Sequence, residues 1–238
     1  MPQPAEPNRD RRPTVVILDH TGALGGAELA LLRLIRALSP ADASITVVLF
    51  SDGPLAASLR KAGAAVELLP MGATATLDRD RSGRTPWRAI GNAVRVLPFV
   101  IRLGRRLRRL RPDLIHSTSL KADLLAVPAS WIAGRPLVWH VHDRISPDYL
   151  PSSLVVLIRW LARWAPRRVV VNSQATAATV PGVRRPAIAY PGLLPEQLIA
   201  APGAGRPPAR HLIGMLGRIS PTKGQLVFVR AAAQVLET

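Results

Sequence analysis

The stretch Thr14-Val15-Val16-Ile17-Leu18-Asp19 decides the fold, because this apolar run leads through a glycine-containing loop into a helical pattern near Gly25-Gly26-Ala27-Glu28. A strand that passes through a glycine turn into a helix is a place where backbone N–H groups can receive a phosphate. A second stretch of this kind, Gly217-Arg218-Ile219-Ser220-Pro221-Thr222-Lys223-Gly224, lies near the other end of the chain. The two stretches predict two loops that face a phosphate-bearing ligand.

Short apolar runs rich in β-branched residues alternate with longer helical patterns along the rest of the chain. The runs are apolar throughout, as expected for strands that are buried on both faces. This alternation predicts an α/β fold with a doubly wound parallel sheet. The predicted strands are 14–19, 45–50, 65–69, 113–116, 137–141, 168–172 and 187–190. The predicted helices are 27–38, 54–62, 86–110, 119–132, 152–164 and 173–180.

The composition changes after residue 190, where eight prolines and glycines crowd residues 191–208. We expect a disordered polar tail over 1–13, a Rossmann-like N-terminal domain over 14–190, a linker over 191–209 and the first strand–helix unit of a second domain over 210–238. In the second domain the sequence predicts a strand at His211–Leu216 and a helix from about Pro221. A single strand–helix unit cannot bury its own apolar face, so we expect this second domain to be truncated.

The charge balance is strongly basic. The 238 residues carry 32 arginines and lysines, only three of them lysines, and the net charge is +17. A nucleic-acid-binding protein more usually interleaves lysines with aromatic residues, which are only 4% here. Two explanations stay open: a genome-wide preference for arginine codons, or a basic face toward an anionic lipid or polyphosphate. The absence of cysteine excludes disulfides and thiolate chemistry.

The segment Trp87–Arg111 has apolar residues flanked by eight arginines. This pattern is typical of a helix that lies on a membrane surface, but a helix that covers a sheet has it too. An anionic membrane surface is therefore a candidate partner. No apolar run approaches the roughly 18 residues of a membrane span, and 1–13 does not resemble a secretory signal. We expect a cytoplasmic protein, either free or peripheral on the inner face of the membrane.

Polar side chains follow four of the predicted strands at the point where each strand ends, which is where ligands collect in an open parallel sheet. Helix capping explains the serines among them but not the histidines. His142 is the best candidate for a polar group beside a reacting substrate, because an imidazole can exchange a proton near neutral pH. His140 shares its face and is the more structural of the two. The other candidates are His20, His116, Asp143 and Asn172.

The Arg218–Lys223 loop offers two cations beside a helix N-terminus, which can neutralise a leaving diphosphate without a metal. An exposed loop with ordinary surface cations is the alternative. The glycines at Gly25 and Gly26 are weaker evidence, because a tight turn between strand and helix also needs glycine, and the pattern is not the dinucleotide-binding fingerprint.

In the order of its motifs the chain resembles the family 4 glycosyltransferases, retaining enzymes of the two-domain GT-B fold. The resemblance covers nearly the whole chain. Its pieces are Gly25-Gly26-Ala27-Glu28, Gly53-Pro54-Leu55 leading to Gly63, Arg111-Pro112-Asp113-Leu114-Ile115-His116, Val141-His142-Asp143, Val171-Asn172-Ser173, and Gly217-Arg218 to Lys223-Gly224.

The resemblance implies transfer of a sugar from a nucleotide donor to a lipid, glycan or small-molecule acceptor, without a metal or other cofactor. It implies that Gly25 and Gly26 approach the donor diphosphate or the acceptor, that His142 lines the sugar site, and that Arg218 and Lys223 hold the diphosphate. The family's second domain supplies a spaced glutamate pair that this chain lacks, which implies little or no activity for the chain alone. Two other functions stay open: a non-catalytic module that binds an anionic glycolipid or polyphosphate, and another GT-B enzyme such as a sugar-nucleotide epimerase.

Overall fold

The computed structural model of the protein describes residues 11–71, 86–197, 213–217, 219 and 223–236, without the side chains of 86–95 and 236. The strands are β1 (Thr14–Asp19), β2 (Ser44–Leu49), β3 (Ala65–Leu68), β4 (Leu114–Ser117), β5 (Leu137–Val141), β6 (Arg168–Val171) and β7 (Ala187–Ile188). The helices are α1 (Gly26–Ala37), α2 (Pro54–Lys61), α3 (Pro86–Leu110), α4 (Leu120–Ala133), α5 (Ser152–Trp164), α6 (Gln174–Ala178) and α7 (Gln225–Leu236).

The sheet has the strand order β3-β2-β1-β4-β5-β6-β7, and every neighbouring pair is parallel. The predicted doubly wound α/β fold is confirmed. The chain runs outward from β1 to one edge, returns through α3, and runs outward from β4 to the other edge. Right-handed crossovers place α1 and α2 on one side, the front face, and α3, α4 and α5 on the other, the back face. Ligands bind such sheets at the switch point, here between β1 and β4.

Two apolar cores flank the sheet. The larger core joins α3, α4 and α5 to the back face around Trp139 and Ile115, which are both inaccessible to solvent. The smaller core joins α1 and α2 to the front face of β1 and β2, around Ile17, Leu55 and Leu59. Because α3 contributes Phe99, Val100, Leu103 and Leu107 to the larger core, the described apolar stripe of this helix faces the protein interior.

The prediction that the strands are buried on both faces is wrong for β3 and β7. Both are edge strands, and each has exposed residues. An edge strand has a neighbour on one side only, so its residues keep contact with water even when they are apolar. The front face of β4 and β5 also departs from the prediction, because histidines interrupt its apolar surface.

Two loops lock together above β1 and β2. Gly22 accepts a hydrogen bond from the backbone N–H of Leu55 (2.9 Å), and its own N–H donates to Ser51 Oγ (3.1 Å). A Cβ atom on Gly22 would lie 2.5 Å from the backbone nitrogen of Gly53, and one on Gly53 would lie 2.4 Å from the carbonyl oxygen of Gly22. Only glycine at both positions allows the two backbones to approach this closely.

The described residues divide into two compact units, Met1–Glu196 and Gln197–Thr238. The predicted strand at His211–Leu216 is wrong for the part that is described, because Ile213–Leu216 forms no strand. A strand needs a neighbour to pair its backbone groups, and the described part of the second unit has no other strand. The helix α7 begins at Gln225, after Gly224 with its left-handed φ of +75°. Pro221, where the sequence predicts a helix start, lies outside the described residues.

Candidate functional site

Hydrogen bonds tie the ends of β1 and β4 together at the switch point. Thr118 Oγ1 donates to the buried carboxylate of Asp19 (2.8 Å), and His20 Nδ1 lies 2.8 Å from Ser119 Oγ. The backbone N–H of His20 donates to the same hydroxyl (3.3 Å). The predicted candidate His20 therefore sits at the sheet edge, with 32% of its side chain exposed.

Three imidazole rings form a row on the front face, which we call the histidine ladder: His116, His140 and His142. The ring centroids of His116 and His140 lie 5.5 Å apart, and those of His140 and His142 lie 4.1 Å apart. The row follows from the sequence, because alternate residues of a strand share a face and His116 pairs in register with Val138. His142 stands nearest the carboxyl edge, and His116 lies deepest.

The ladder is neutral at physiological pH. Burial lowers the pKa of His116 to about 4 and that of His140 to about 3, and the proximity of His142 lowers the pKa of both rings further. Burial also lowers the pKa of His142, against the opposing effect of Asp143 and Asp19. The Nε2 atoms of His116 and His140 are buried without a hydrogen-bond partner among the described residues. A neutral imidazole at His142 can donate or accept a hydrogen bond without carrying charge into the site.

The candidates Asp143 and Asn172 lie beside His142 but differ in what they offer. Asn172 donates from Nδ2 to the backbone carbonyl of His142 (2.9 Å), and its Oδ1 accepts from Thr176 Oγ1 (2.6 Å). Both ends of this amide are engaged, so Asn172 acts as a positioning residue for the end of β5. Asp143 Oδ1 accepts a hydrogen bond from the Tyr149 hydroxyl (3.3 Å).

A groove of about 230 Å³ opens beside the upper end of the ladder. Its inner end is formed by Thr118, His140 and His142, and Arg33 lies on its wall. The remaining walls are mainly apolar and come from the outward side of α1 and from Ala189–Leu194. Sequence reasoning missed Arg33, which reads as an ordinary outward-facing helix residue. The sequence prediction places Tyr190 at the end of the last strand and Pro191-Gly192 at the start of the linker, so it gives no sign of this wall.

The glycines Gly25 and Gly26 stand at the N-terminus of α1, with Gly25 as the capping residue. The carboxylate of Glu28 folds back against them: a Cβ atom on Gly25 would lie 2.4 Å from Glu28 Oε2. Glu28 accepts a backbone hydrogen bond from Gly25, and burial raises the pKa of its carboxyl. This is the glutamate half of a capping box, since Gly25 has no side chain to return a hydrogen bond. A carboxyl group therefore already stands where the sequence predicts a phosphate.

The second predicted loop is described only in part. Arg218 lies outside the described residues, and Lys223 is exposed one residue before Gly224, in the second compact unit. Among the residues that the structure describes, no group of three or more His, Asp or Glu side chains could hold a metal ion. The described helices include none that is long and apolar enough to cross a membrane.

The sequence model of glycosyltransferase family 4 matches residues 24–192. The match begins at the glycine loop, covers the whole ladder and ends beside the groove. The chain belongs to glycosyltransferase family 4. No curated protein matches the sequence significantly.

The fold is also that of a solved family structure. HepE from Anabaena, crystallised with UDP and glucose, superposes with a TM-score of 0.60 at 26% sequence identity, and the alignment covers 76% of this chain. HepE in complex with UDP-glucose gives a TM-score of 0.59 at the same identity and the same share of this chain. The matched region is 45% of the first HepE chain and 44% of the second, so the protein spans less than half of its relative. The predicted GT-B-type, Rossmann-like fold and the resemblance to family 4 are confirmed.

Proposed function

We propose that this protein acts in the transfer of a hexose-type sugar from a nucleotide donor to a lipid, glycan or small-molecule acceptor, with retention at the anomeric carbon and without a metal. The observation that carries the proposal is the neutral His142 at the carboxyl edge of a family 4 domain, with a groove beside it. The UDP-glucose bound to HepE supports a UDP-sugar as the donor class.

His142 is the proposed catalytic residue of the sugar site. A neutral imidazole can hydrogen-bond a sugar hydroxyl, and Asn172 fixes the backbone that carries it. His20 and Asp143 flank the same edge and are proposed to contact the sugar or the acceptor. His116 lies beneath His140. We therefore propose that His116 supports the position of the His140 ring and makes no direct contact with a ligand.

The glycine loop is proposed to meet the acceptor rather than the donor diphosphate. The helix N-terminus at Gly25 and Gly26 already receives the carboxyl group of Glu28, and Asp19 lies close enough to raise the pKa of Glu28 further. Two acidic groups repel a diphosphate, whereas they can accept hydrogen bonds from acceptor hydroxyls. The diphosphate contacts are assigned to Arg218 and Lys223.

The chemistry that this arrangement serves is the cleavage of the bond between the anomeric carbon and the phosphate oxygen. Negative charge then collects on the leaving diphosphate, where fixed cations lower the barrier most. The acceptor oxygen forms the new bond to the anomeric carbon and loses its proton. The proposal also includes a peripheral position on an anionic membrane, through the arginines of Trp87–Arg111.

The test is UDP release from UDP-glucose by a chimera in which this domain is joined to the donor-binding half of HepE. We expect turnover by the chimera, with the product anomer read by NMR. His142→Ala should lower kcat by about a hundredfold or more, because it removes a contact made to the reacting sugar. His116→Ala is the matched control, since it removes an imidazole from the same row without removing the proposed contact.

The outcomes separate the alternatives. Unchanged turnover in His142→Ala would show that the catalytic assignment is wrong. Tight binding of a polyphosphate by the chain alone, with no turnover in the chimera, would favour a binding module. Release of a free epimerised sugar nucleotide would favour an epimerase.

A further inference from the structure

The outward side of α5 carries an exposed apolar stripe. The stripe consists of Val156, Leu157, Trp160 and Trp164, which share one side of the helix. On the opposite side, Ile158 is fully buried in the larger core. Trp160 is 57% exposed and Trp164 is 76% exposed. An aliphatic and aromatic stripe of this kind on an outward helix face is unusual unless it contacts something.

A third tryptophan extends the stripe toward the amino edge of the sheet. Trp131, at the end of α4, is 67% exposed. The ends of α4 and α5 lie at the same edge, because the two helices lead into β5 and β6, which are neighbours paired in register from Val138 and Arg168. We call Trp131, Trp160 and Trp164, with Val156 and Leu157, the tryptophan surface.

Arginines border the tryptophan surface. Gly104 of α3 lies against Ile132 of α4, where an added Cβ would come within 2.7 Å of Ile132. The exposed Arg105 directly follows Gly104, and the exposed Arg108 and Arg109 follow it by about one turn, so these arginines lie near the end of α4.

Exposed arginines also border the end of α5, at Arg167 and Arg168. The described carboxylates at this edge are already engaged: Asp113 pairs with Arg11, and Asp42 accepts from the backbone of Ser39.

We propose that the tryptophan surface docks on an anionic lipid bilayer. Tryptophan side chains sit at the boundary between acyl chains and headgroups, because the ring is apolar and its N–H is polar. The aliphatic residues between the tryptophans enter the same layer, and the bordering arginines reach the lipid phosphates. The tryptophans lie toward the opposite end of the strands from the histidine ladder. The docking rests on the membrane position proposed above and names the surface that takes it, and its test is separate from the turnover test of the transferase.

Charge and composition favour a bilayer over other occupants. A second copy of this chain would bring the same arginines together, and the net charge of +17 opposes that contact. Nucleic acid would use the arginines but has no apolar layer for Val156 and Leu157. Most described apolar residues of α3 cannot serve as anchors, since Phe99, Leu103 and Leu107 are buried, although Leu97 is 54% exposed.

The experiment is co-sedimentation of the 238-residue chain with vesicles of phosphatidylcholine alone and of phosphatidylcholine mixed with phosphatidylglycerol. We expect binding to the mixed vesicles and much weaker binding to the neutral ones. Replacing Trp160 and Trp164 with serine should weaken partitioning by about tenfold or more. Replacing Arg105, Arg108 and Arg109 with glutamine should weaken it by about fivefold for each charge removed, and added salt should have the same effect.

Tyr190→Ser is the matched control, because Tyr190 is a 66% exposed aromatic residue on another part of the surface. It should bind vesicles as the unmodified chain does. Circular dichroism checks that each variant is folded, and quenching of tryptophan fluorescence by lipids with brominated acyl chains reports insertion without any variant. Failure to bind the mixed vesicles overturns the proposal, as does equal binding by the tryptophan variant or by neutral vesicles. A protein partner on this surface would give the first of these results.

Discussion

The two halves of the front face differ in what covers them. On β1 and β2, aliphatic residues such as Ile17, Val47 and Leu49 meet α1 and α2 and are almost inaccessible. On β4 and β5, the equivalent positions carry the histidine ladder, which borders a groove instead of a second layer of helices. One half of the face is core, and the other half is available to a ligand.

This difference leaves one side of the switch point open for the chemistry proposed above. Neutral imidazoles tolerate partial burial, because their unpaired nitrogens cost less free energy to bury than charged groups would. They still offer hydrogen bonds to a ligand. The ladder therefore combines the packing role of a strand face with the chemistry of a site, and the three predictions below separate the two roles.

The largest effect is expected where the front face is core. Leu59→Ala removes a fully buried side chain of α2 and should lower the free energy of unfolding by about 3–4 kcal/mol, as for other buried leucines. Urea denaturation followed by circular dichroism measures it. Leu34→Ala is the matched control on α1, where the side chain is 38% exposed. If the two variants lost similar free energies of unfolding, burial of Leu59 in the smaller core would not explain its contribution to stability.

The second largest effect is the loss of stability in acid that the buried histidines of the ladder cause. The folded protein keeps His116 neutral down to about pH 4, whereas the unfolded chain takes up this proton near pH 6.5. Between these values the unfolded state binds more protons, so the free energy of unfolding falls as the pH falls, by about 3 kcal/mol for this group. His116→Phe should remove this part of the acid sensitivity.

The measurement is the urea midpoint at several pH values between 7.5 and 4.5, taken for the unmodified chain and for the variant. His140 titrates in the same direction, so some acid sensitivity remains in His116→Phe. Leu59→Ala should keep the full pH dependence, because it leaves the ladder intact. Parallel curves for all three proteins would contradict the assignment.

The smallest effect is expected for Asn172, which supports the backbone of His142. Asn172→Ala removes the hydrogen bond to the backbone of His142 and should cost about 1 kcal/mol of stability. In the HepE chimera it should also lower kcat by less than His142→Ala does, since Asn172 only positions the end of β5. Asn172→Asp is the conservative comparison, because it keeps an acceptor for Thr176 but loses the donor. A loss in Asn172→Ala as large as that in His142→Ala would make Asn172 a direct contact.

Local patterns predicted most of the first compact unit. The bounds of β1, β5, α3 and α5 agree with the sequence prediction to the residue, because apolar runs and helix starts are strong local signals. The strand at Ile213–Leu216 failed because pairing is not local: an apolar run becomes a strand only beside another strand. The burial of His116 beneath His140 also depends on register between strands, which the sequence does not display.

The candidate site was predicted in part for the same reason. The histidines, Asp143 and Asn172 were found from their positions after predicted strands. The groove was not found, because its walls come from Arg33 and Gly192, whose Nη1 and carbonyl oxygen lie 3.5 Å apart across 159 positions of the chain. The role of Asn172 as a support was equally hidden, since it depends on which atoms its amide meets.

The contact between Gly22 and Gly53 sets a rule for anyone who diversifies this scaffold. Each glycine fills the space that a side chain on the other would need, so a library that randomises either position alone would consist mainly of misassembled loops. The exposed residues Ala23 and Leu24 sit on the same turn without that restriction. A library with both glycines fixed and these two positions open would vary the loop that leads into α1 while keeping the contact between the two turns.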